Sequence, residues 1–441
     1  MKKILRLILL LPIIIGIILG ILIAVNGKLP ENERKINKNV FGKIQKKEAN
    51  LTDVYIYGDS LNIKGNIKRI SKDNLEGAKL ILTDGFEEKA YELTTKIKDE
   101  TLHFETKQIN NSILLNELSD EKYYILIRLK LNNSAKYRYY TVNYEKDIEN
   151  LEYYTISKDG NNKKLSIEVS KKEYKKNTYN YLSINTNEVD LPENVYDIVI
   201  DAGHGGTDFG EKFGLYKEAD ISLDYSIALA KYLSENGLKV KLTRDIDNNE
   251  DYTSVNMYGE NGRIAIACES KAKYMFSIHL NNDNKKTNGF EIYAPCKSDL
   301  SFAKLIANKI KENTTLEYST NKEYKQAEGV YVKNFTQKVI QQYAETANKK
   351  EYEPYPLTTD TPYLYTIREV GGIATNAYVD GRNIEYDANK YYKSNQGIEC
   401  YQIELGYIKT DIEKILNEKE NYIKAIGDAI IEKINKFCNK G

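Results

Sequence analysis

Residues 196–210 read YDIVIDAGHGGTDFG, an apolar run followed by one histidine set among glycines. The run has the β-branched, apolar character of a buried strand. The glycine cluster behind it admits two readings. A Gly-rich turn can cradle an anion with its backbone N–H groups. An imidazole in the middle of such a turn can instead bind a metal. Neither the GxxxxGK[ST] nor the GxGxxG spacing of phosphate loops is present. The glycines are better suited to bending the backbone tightly around a bound ion or substrate.

Outward from this stretch, strand and helix patterns alternate from residue 194 to the end. Asp220 to Asn236 carries Ile221, Tyr225, Ala228, Leu229, Tyr232 and Leu233 on one helical face, and Gly237 supplies a stop. LKVKLTR reads as the next strand and GRIAIACES as a helix. KYMFSIHL and GFEIYA read as strands, and LSFAKLIANKIKEN as a helix. YLYTIRE and IECYQIEL read as late strands, and ENYIKAIGDAIIEKINKF as a closing helix. This alternation predicts an α/β domain, a mostly parallel sheet with helices on both faces.

Ligands of open α/β sheets bind at the carboxyl ends of the strands. Three predicted strands end in residues with ligand or acid–base chemistry: the first just before His204, the second at His279, the third near Glu404. Glu218 stands just ahead of a helix. Two histidines and one carboxylate form the ligand set of several hydrolytic zinc sites, and a second carboxylate can serve as general base. Taken singly, a strand-end histidine is as well read as a satisfied core residue, and a strand-end glutamate as a solvated one. Two of the chain's three histidines at strand ends of one domain favour metal. The third, His103, alternates with Leu102 and Phe104 and reads as a surface residue.

The rest of the chain sets the context. Lys plus Arg and Asp plus Glu are equal, 64 against 64, which gives no support for a nucleic-acid partner. Cys268, Cys296, Cys400 and Cys438 form no CxxC pair and read as free thiols, with disulfides as the sharper alternative. Leu7 to Val25 is 19 residues without a charge. As a helix it would be roughly 28 Å long, near the thickness of a bilayer core. Residues 1–27 are therefore expected to be an N-terminal transmembrane helix, an uncleaved signal anchor. Five basic residues follow the span against three before it, which by simple counting keeps the bulk inside. Residues 28–50 read as a polar linker. Residues 51–193 show period-two runs such as LNIKGNI, AKLILTD, TLHFETK, KYYILIRLKL and YRYYTVNY, and predict a smaller all-β, sandwich-like domain with a connector. YYTISKDGNNKKLSIEV reads as a hairpin about Asp159 and Gly160. Residues 194–441 are the expected catalytic domain.

With these residues assembled, 195–438 resembles the zinc-dependent N-acetylmuramoyl-L-alanine amidases of the type-3 family. IVIDAGHGGTDFG is similar to that family's opening strand and first-ligand loop, with Ala202 where proline is usual. KEADISL matches the segment of the second ligand, VKLTRD the next strand, FSIHLNN the third-ligand segment, GFEIYA the strand after it and IELGYI the catalytic-glutamate segment. GIECYQIE lacks the usual proline, and Lys409 and Thr410 replace a common Ser-Asn. Residues 313–361 and 371–398 resemble insertions, the second bordering the cleft. The resemblance implies Zn2+ on His204, Glu218 and His279, with Glu404 as general base and Asn281 and Arg368 as substrate-binding candidates. For Arg368 a structural salt bridge is an equal reading. It also implies a peptidoglycan hydrolase that cleaves the amide between N-acetylmuramic acid and L-alanine of the stem peptide. The wall substrate places the catalytic domain outside, tied to the cell membrane by a single-pass anchor. Some members of the family are held inactive until a protein activator displaces a blocking segment, a part open to 313–361 against plain surface decoration. The competing readings are a zinc peptidase acting within the stem peptide and a non-catalytic wall-binding protein.

Overall fold

The computed structural model describes residues 44–45, 47–84, 88–106, 112–115, 118, 122–132, 137–144, 152–155, 162–174, 177–246, 262–283, 286–351, 357–372 and 397–438. The expected membrane segment, most of the linker, the turn about Asp159 and Gly160 and most of 371–398 lie outside the described residues. Among the described residues no helix is long and apolar enough to cross a membrane.

The first half is all β, as expected. Its strands are β1 (Ala49–Tyr57), β2 (Ser60–Lys68), β3 (Leu75–Thr83), β4 (Glu88–Glu92), β5 (Thr94–Lys98), β6 (Thr101–Glu105), β7 (Ile113–Leu114), β8 (Tyr123–Leu131), β9 (Tyr137–Tyr144), β10 (Glu152–Thr155), β11 (Lys163–Tyr174) and β12 (Asn177–Glu188). They join in one sheet of order β10-β11-β12-β8-β9-β1-β2-β6-β5, with β3, β4 and β7 attached off that path. Alternate residues of distant strands, such as Ile56 and Ile63 with Leu80, Ile127 and Leu182, meet in one apolar cluster. Leu102 and Phe104 are buried while His103 between them is exposed, as its period-two position requires.

The second half is α/β. Its strands are β13 (Ile198–Ala202), the short hairpin β14 (Lys212–Phe213) and β15 (Tyr216–Lys217), then β16 (Val240–Leu242), β17 (Tyr274–Asn281), β18 (Glu291–Tyr293), β19 (Lys325–Ala327), β20 (Val330–Tyr331) and β21 (Glu399–Tyr407). Its helices are α1 (Glu218–Glu235), α2 (Arg263–Glu269), α3 (Ser301–Asn313), α4 (Gln337–Lys349), α5 (Tyr365–Val370), α6 (Ile412–Asn417) and α7 (Lys419–Cys438). The main sheet runs β16-β13-β17-β21-β18-β20-β19. β16, β13, β17 and β21 are parallel neighbours, but β18 is antiparallel to β21 and β19 to β20, so the sheet is mixed.

Period-two alternation splits the strands between two cores. Ile198, Ile200, Phe276, Ile278, Tyr401 and Ile403 pack with α1, α3 and α7. Val199, Met275 and Cys400 pack with α2 and α5 on the opposite face. The same alternation puts Asp201, Ser277, His279, Gln402 and Glu404 on that second face, further along the strands. One sheet face thus changes from apolar to polar toward its carboxyl end, and the candidate site sits there.

Two expectations need correction. YLYTIRE is not a strand: residues 365–370 are helix α5, with Thr366 to Val370 all buried beside α2 and β21. A short apolar run carries no period that separates buried strand from buried helix. Helix α1 begins at Glu218, two residues before the expected start, which brings that glutamate into the first turn. Cys268 and Cys400 are buried thiols and Cys296 a half-buried one, none in a disulfide.

Candidate metal and hydrolytic site

The loop after β13 turns back at once. Gly205 and Asp208 exchange backbone hydrogen bonds of 2.8 and 3.0 Å. His204 takes a left-handed conformation, φ 61°, unusual for a residue with a side chain. Backbone strain of this kind clusters at functional sites. Two buried arginines hold the loop. Arg244 donates to the carbonyls of Ala202, Gly203 and Ala219 at 2.8–3.0 Å, so one guanidinium ties the His204 loop to the helix that carries Glu218. Arg263 donates to the His204 carbonyl at 2.9 Å and pairs with Asp201 at 3.3 Å. Burial alone would raise the Asp201 carboxyl, but Arg263, Ser277 and Thr243 outweigh it and hold it below the usual range.

The structure brings together the three predicted ligand residues. His204, Glu218 and His279 offer nitrogen and oxygen atoms all within 4.8 Å of one another. Glu218 Oε1 lies 3.0 Å from His204 Nε2 and 3.0 Å from His279 Nδ1. The two imidazoles meet edge to face, with centroids 4.9 Å apart. Burial opposes the charge on Glu218, but its bonds to His204 and His279 prevail and hold its pKa well below the carboxylate range. Burial likewise opposes charge on His204, yet Glu218 and Asp208 raise its pKa to about 9.

Two glycines are demanded by these ligands. A Cβ on Gly203 would stand 2.4 Å from His279 Cε1, and one on Gly210 would stand 2.7 Å from both Glu218 Oε2 and His204 Cδ2. The loop glycines therefore make room for the three candidate side chains themselves, a narrower role than bending around an ion.

Glu404 lies beside this cluster, since His279 and Glu404 are register partners on β17 and β21. It is 5% exposed. Gln402 donates to its Oε1 at 2.7 Å, and its buried Oε2 has no hydrogen-bond partner among the described residues. Burial first, then the nearby Glu218 and Glu291, push its pKa up to about 7 against the pull of His279 and Gln402. The buried His279 Nε2 is likewise without a partner. Unpaired buried polar atoms are costly. Two of them beside a His2Glu donor set fit a site that expects a cation and a polar substrate. The donors, two imidazoles and a carboxylate, suit zinc.

Asn281 is two residues beyond His279 on β17, and its Nδ2 donates to buried Glu291 at 2.9 Å. Arg368 is not brought to the cluster. Its guanidinium is buried, pairs with Glu369 at 2.8 Å and donates to the carbonyls of Pro362 and Tyr363 at 3.1 and 2.8 Å. These contacts are those of the salt-bridge reading of Arg368.

Several contributors escaped the sequence reading. Asp208 Oδ2 accepts from His204 Nδ1 at 2.9 Å and its Oδ1 accepts from Gly210 N at 3.0 Å. A carboxylate on one ring nitrogen fixes the tautomer that leaves the other nitrogen for metal. An acid four residues after a ligand histidine in a Gly-rich turn is a signal for it. Gln402, two residues before Glu404 on the same strand face, could have been read from period two. Arg244 and Arg263 could not, because arginine is rarely buried.

Two histidines and a carboxylate thus cluster at the carboxyl end of the parallel strands, with a buried glutamate alongside, a donor set that could hold a metal ion. Residues 198–351 match the model of the family described as N-acetylmuramoyl-L-alanine amidase. The match ends before Glu404, whose assignment stands on its geometry. The germination-specific N-acetylmuramoyl-L-alanine amidase of Bacillus subtilis (strain 168) is 30% identical over 151 residues, 32% of this chain and 62% of that protein. This chain thus spans less than two thirds of that relative's length. Among solved structures, Cwp6 from Clostridium difficile is 25% identical, covering 55% of this chain and 29% of Cwp6, TM-score 0.35. The CwlD amidase from Clostridioides difficile, solved in complex with the GerS lipoprotein, is 22% identical, covering 55% of this chain and 98% of CwlD, TM-score 0.33.

Proposed function

We propose that this protein is a membrane-anchored, zinc-dependent N-acetylmuramoyl-L-alanine amidase of the cell wall. One observation carries the reading: His204, Glu218 and His279 converge within 4.8 Å beside the unpartnered Oε2 of buried Glu404. The three side chains would hold the ion. Zinc, when bound there, supplies a Lewis acid for the scissile carbonyl and lowers the pKa of water toward about 7. Asp208 fixes the His204 ring. Gln402 holds Oε1 of Glu404, so Oε2 is the atom left to accept the proton of the attacking water. Glu404 then passes that proton to the leaving amine of L-alanine. A pKa raised to about 7 suits both halves of that transfer near neutrality.

In this reading residues 1–27 anchor the chain, 28–50 tether it, 51–193 form a spacer or wall- or partner-binding domain, and 194–441 carry the chemistry outside the membrane. Its partners are peptidoglycan, the membrane and, as for some members of the family, an activator protein.

Purified full-length chain, in detergent and loaded with zinc, is incubated with a defined muropeptide. Mass spectrometry is expected to find muramic acid with a free lactoyl carboxylate and a peptide with a free L-alanine amine. Muramic acid still bearing alanine would instead show a stem-peptide peptidase, and an intact muropeptide a non-catalytic binder. Glu404→Gln is expected to lower kcat by about 10²- to 10⁴-fold with zinc retained. Wild-type rates in that variant would remove Glu404 from the reaction.

A further inference from the structure

Glu291 is a carboxylate in an apolar place. It lies on β18, opposite Glu404 in the β18–β21 register, and is 0% exposed. Its neighbours Phe290 and Ile292 belong to the core on the other sheet face. Four neutral donors converge on it. Ser319 Oγ and Tyr407 Oη donate to Oε1 at 2.7 Å each. Asn281 Nδ2 and Tyr293 Oη donate to Oε2 at 2.9 and 2.7 Å. Burying a carboxylate is expensive unless its oxygens are satisfied. A position that only filled space would be apolar. The saturated cage shows that the sequence retains this group at the edge of the site and spends three hydroxyls and one amide on it.

The amide is informative. A carboxamide has one donor end and one acceptor end, and a carboxylate oxygen selects the donor end. With Nδ2 bound to Glu291, Asn281 has its oxygen on the opposite side. The register of β17 on β21 is broken between His279 and Asn281, and the bond to Glu291, the register partner of Glu404, is what holds the Asn281 side chain at the site. We propose that Glu291 is a positioning residue: it locks the Asn281 carboxamide with Oδ1 facing the cleft, as the acceptor for an amide N–H of the stem peptide. This rests on the amidase reading above, and deepens it by naming the atom that takes the peptide and the residue that orients it.

In the Glu291→Gln variant the new carboxamide can offer either end to Asn281, so the Asn281 orientation is no longer fixed. The full-length, zinc-loaded protein is assayed on the defined muropeptide, and binding is measured by calorimetry in the inactive Glu404→Gln background. Loss of one neutral hydrogen bond corresponds to a KM, and in the Glu404→Gln background a dissociation constant, raised about three- to tenfold, with zinc content unchanged. In an Asn281→Ala background Glu291→Gln is expected to add nothing, because residues acting as one unit are not additive. An unchanged KM in folded Glu291→Gln, or losses that add in the double variant, would overturn the inference. If Glu291→Gln does not fold, Asn281→Ala, which removes the acceptor itself, must show the same loss; full affinity there overturns it equally. Failure of the Glu404→Gln protein to bind muropeptide also overturns it, whereas binding without cleavage by wild type overturns only the amidase reading.

Discussion

Gly203→Ala tests the site with a single methyl group. Gly203 does not have positive φ, so alanine is allowed there by the backbone and the effect is purely steric. The added Cβ would stand 2.4 Å from His279 Cε1, 2.6 Å from Nε2 and 2.7 Å from Nδ1. Carbon contacts settle near about 3.5–4.0 Å, so the imidazole must retreat by about 1 Å. Metal–ligand distances tolerate about 0.2 Å. Overpacking of this size costs about 1–3 kcal/mol, and if it falls on the ring that must hold the ion it weakens zinc about 5- to 150-fold. The assay is competition for zinc against a chromophoric chelator, with thermal unfolding of the metal-free protein alongside. Gly214→Ala is the control: its Cβ meets nothing within 4 Å, although its φ of 60° strains the backbone. That variant should lose about 1 kcal/mol of stability and no zinc affinity. A folded Gly203→Ala protein that holds zinc as tightly as wild type would refute the placement of His279 as a ligand.

Three further outcomes follow from the geometry. Asp208→Asn should weaken zinc about 10- to 100-fold by releasing the His204 tautomer, read in the same chelator competition. With the metal-free His204 pKa raised to about 9, the imidazole must lose its proton to ligate, so zinc affinity should rise with pH and level off above about 9. Calorimetry in buffers of different ionisation enthalpy would detect the released proton at pH 7. The sign for folding is opposite: this raised pKa stabilises the metal-free protein fully below the unfolded value near 6.5 and is lost as pH rises through about 9. Arg368→Ala should lower the unfolding midpoint, since it removes a buried guanidinium from Glu369 and two carbonyls, and should leave KM unchanged.

The parts of the fold legible in the sequence are those with a long period. Alternating apolar runs marked β2, β3, β6, β8 and β9, and the helical stripe from Ile221 to Leu233 marked α1. Residues 365–370 were misread because YTIREV, with two charged residues among six, is too short to show a period of its own. Which face they cover is decided by α2 and β21, far away in sequence. The candidate ligand residues stood out because histidine is scarce here and strand ends are where open sheets bind. Their support was mostly invisible. Asp208 and Gln402 could be inferred from spacing, and Glu291 is a lone acid inside the apolar GFEIYA. Arg244 and Arg263 work through backbone carbonyls, which have no signature in the side-chain sequence.

The Arg244 guanidinium bears on what holds the candidate site in shape. It binds the carbonyls on either side of the site, those of Ala202 and Gly203 on the loop and Ala219 on the helix, without involving any ligand atom. The scaffold is therefore stapled by the chain rather than by the ion. In the proposed reading, an ion held there can be lost and regained while the fold stands, so scarcity of metal would switch the activity off reversibly rather than unfold the chain.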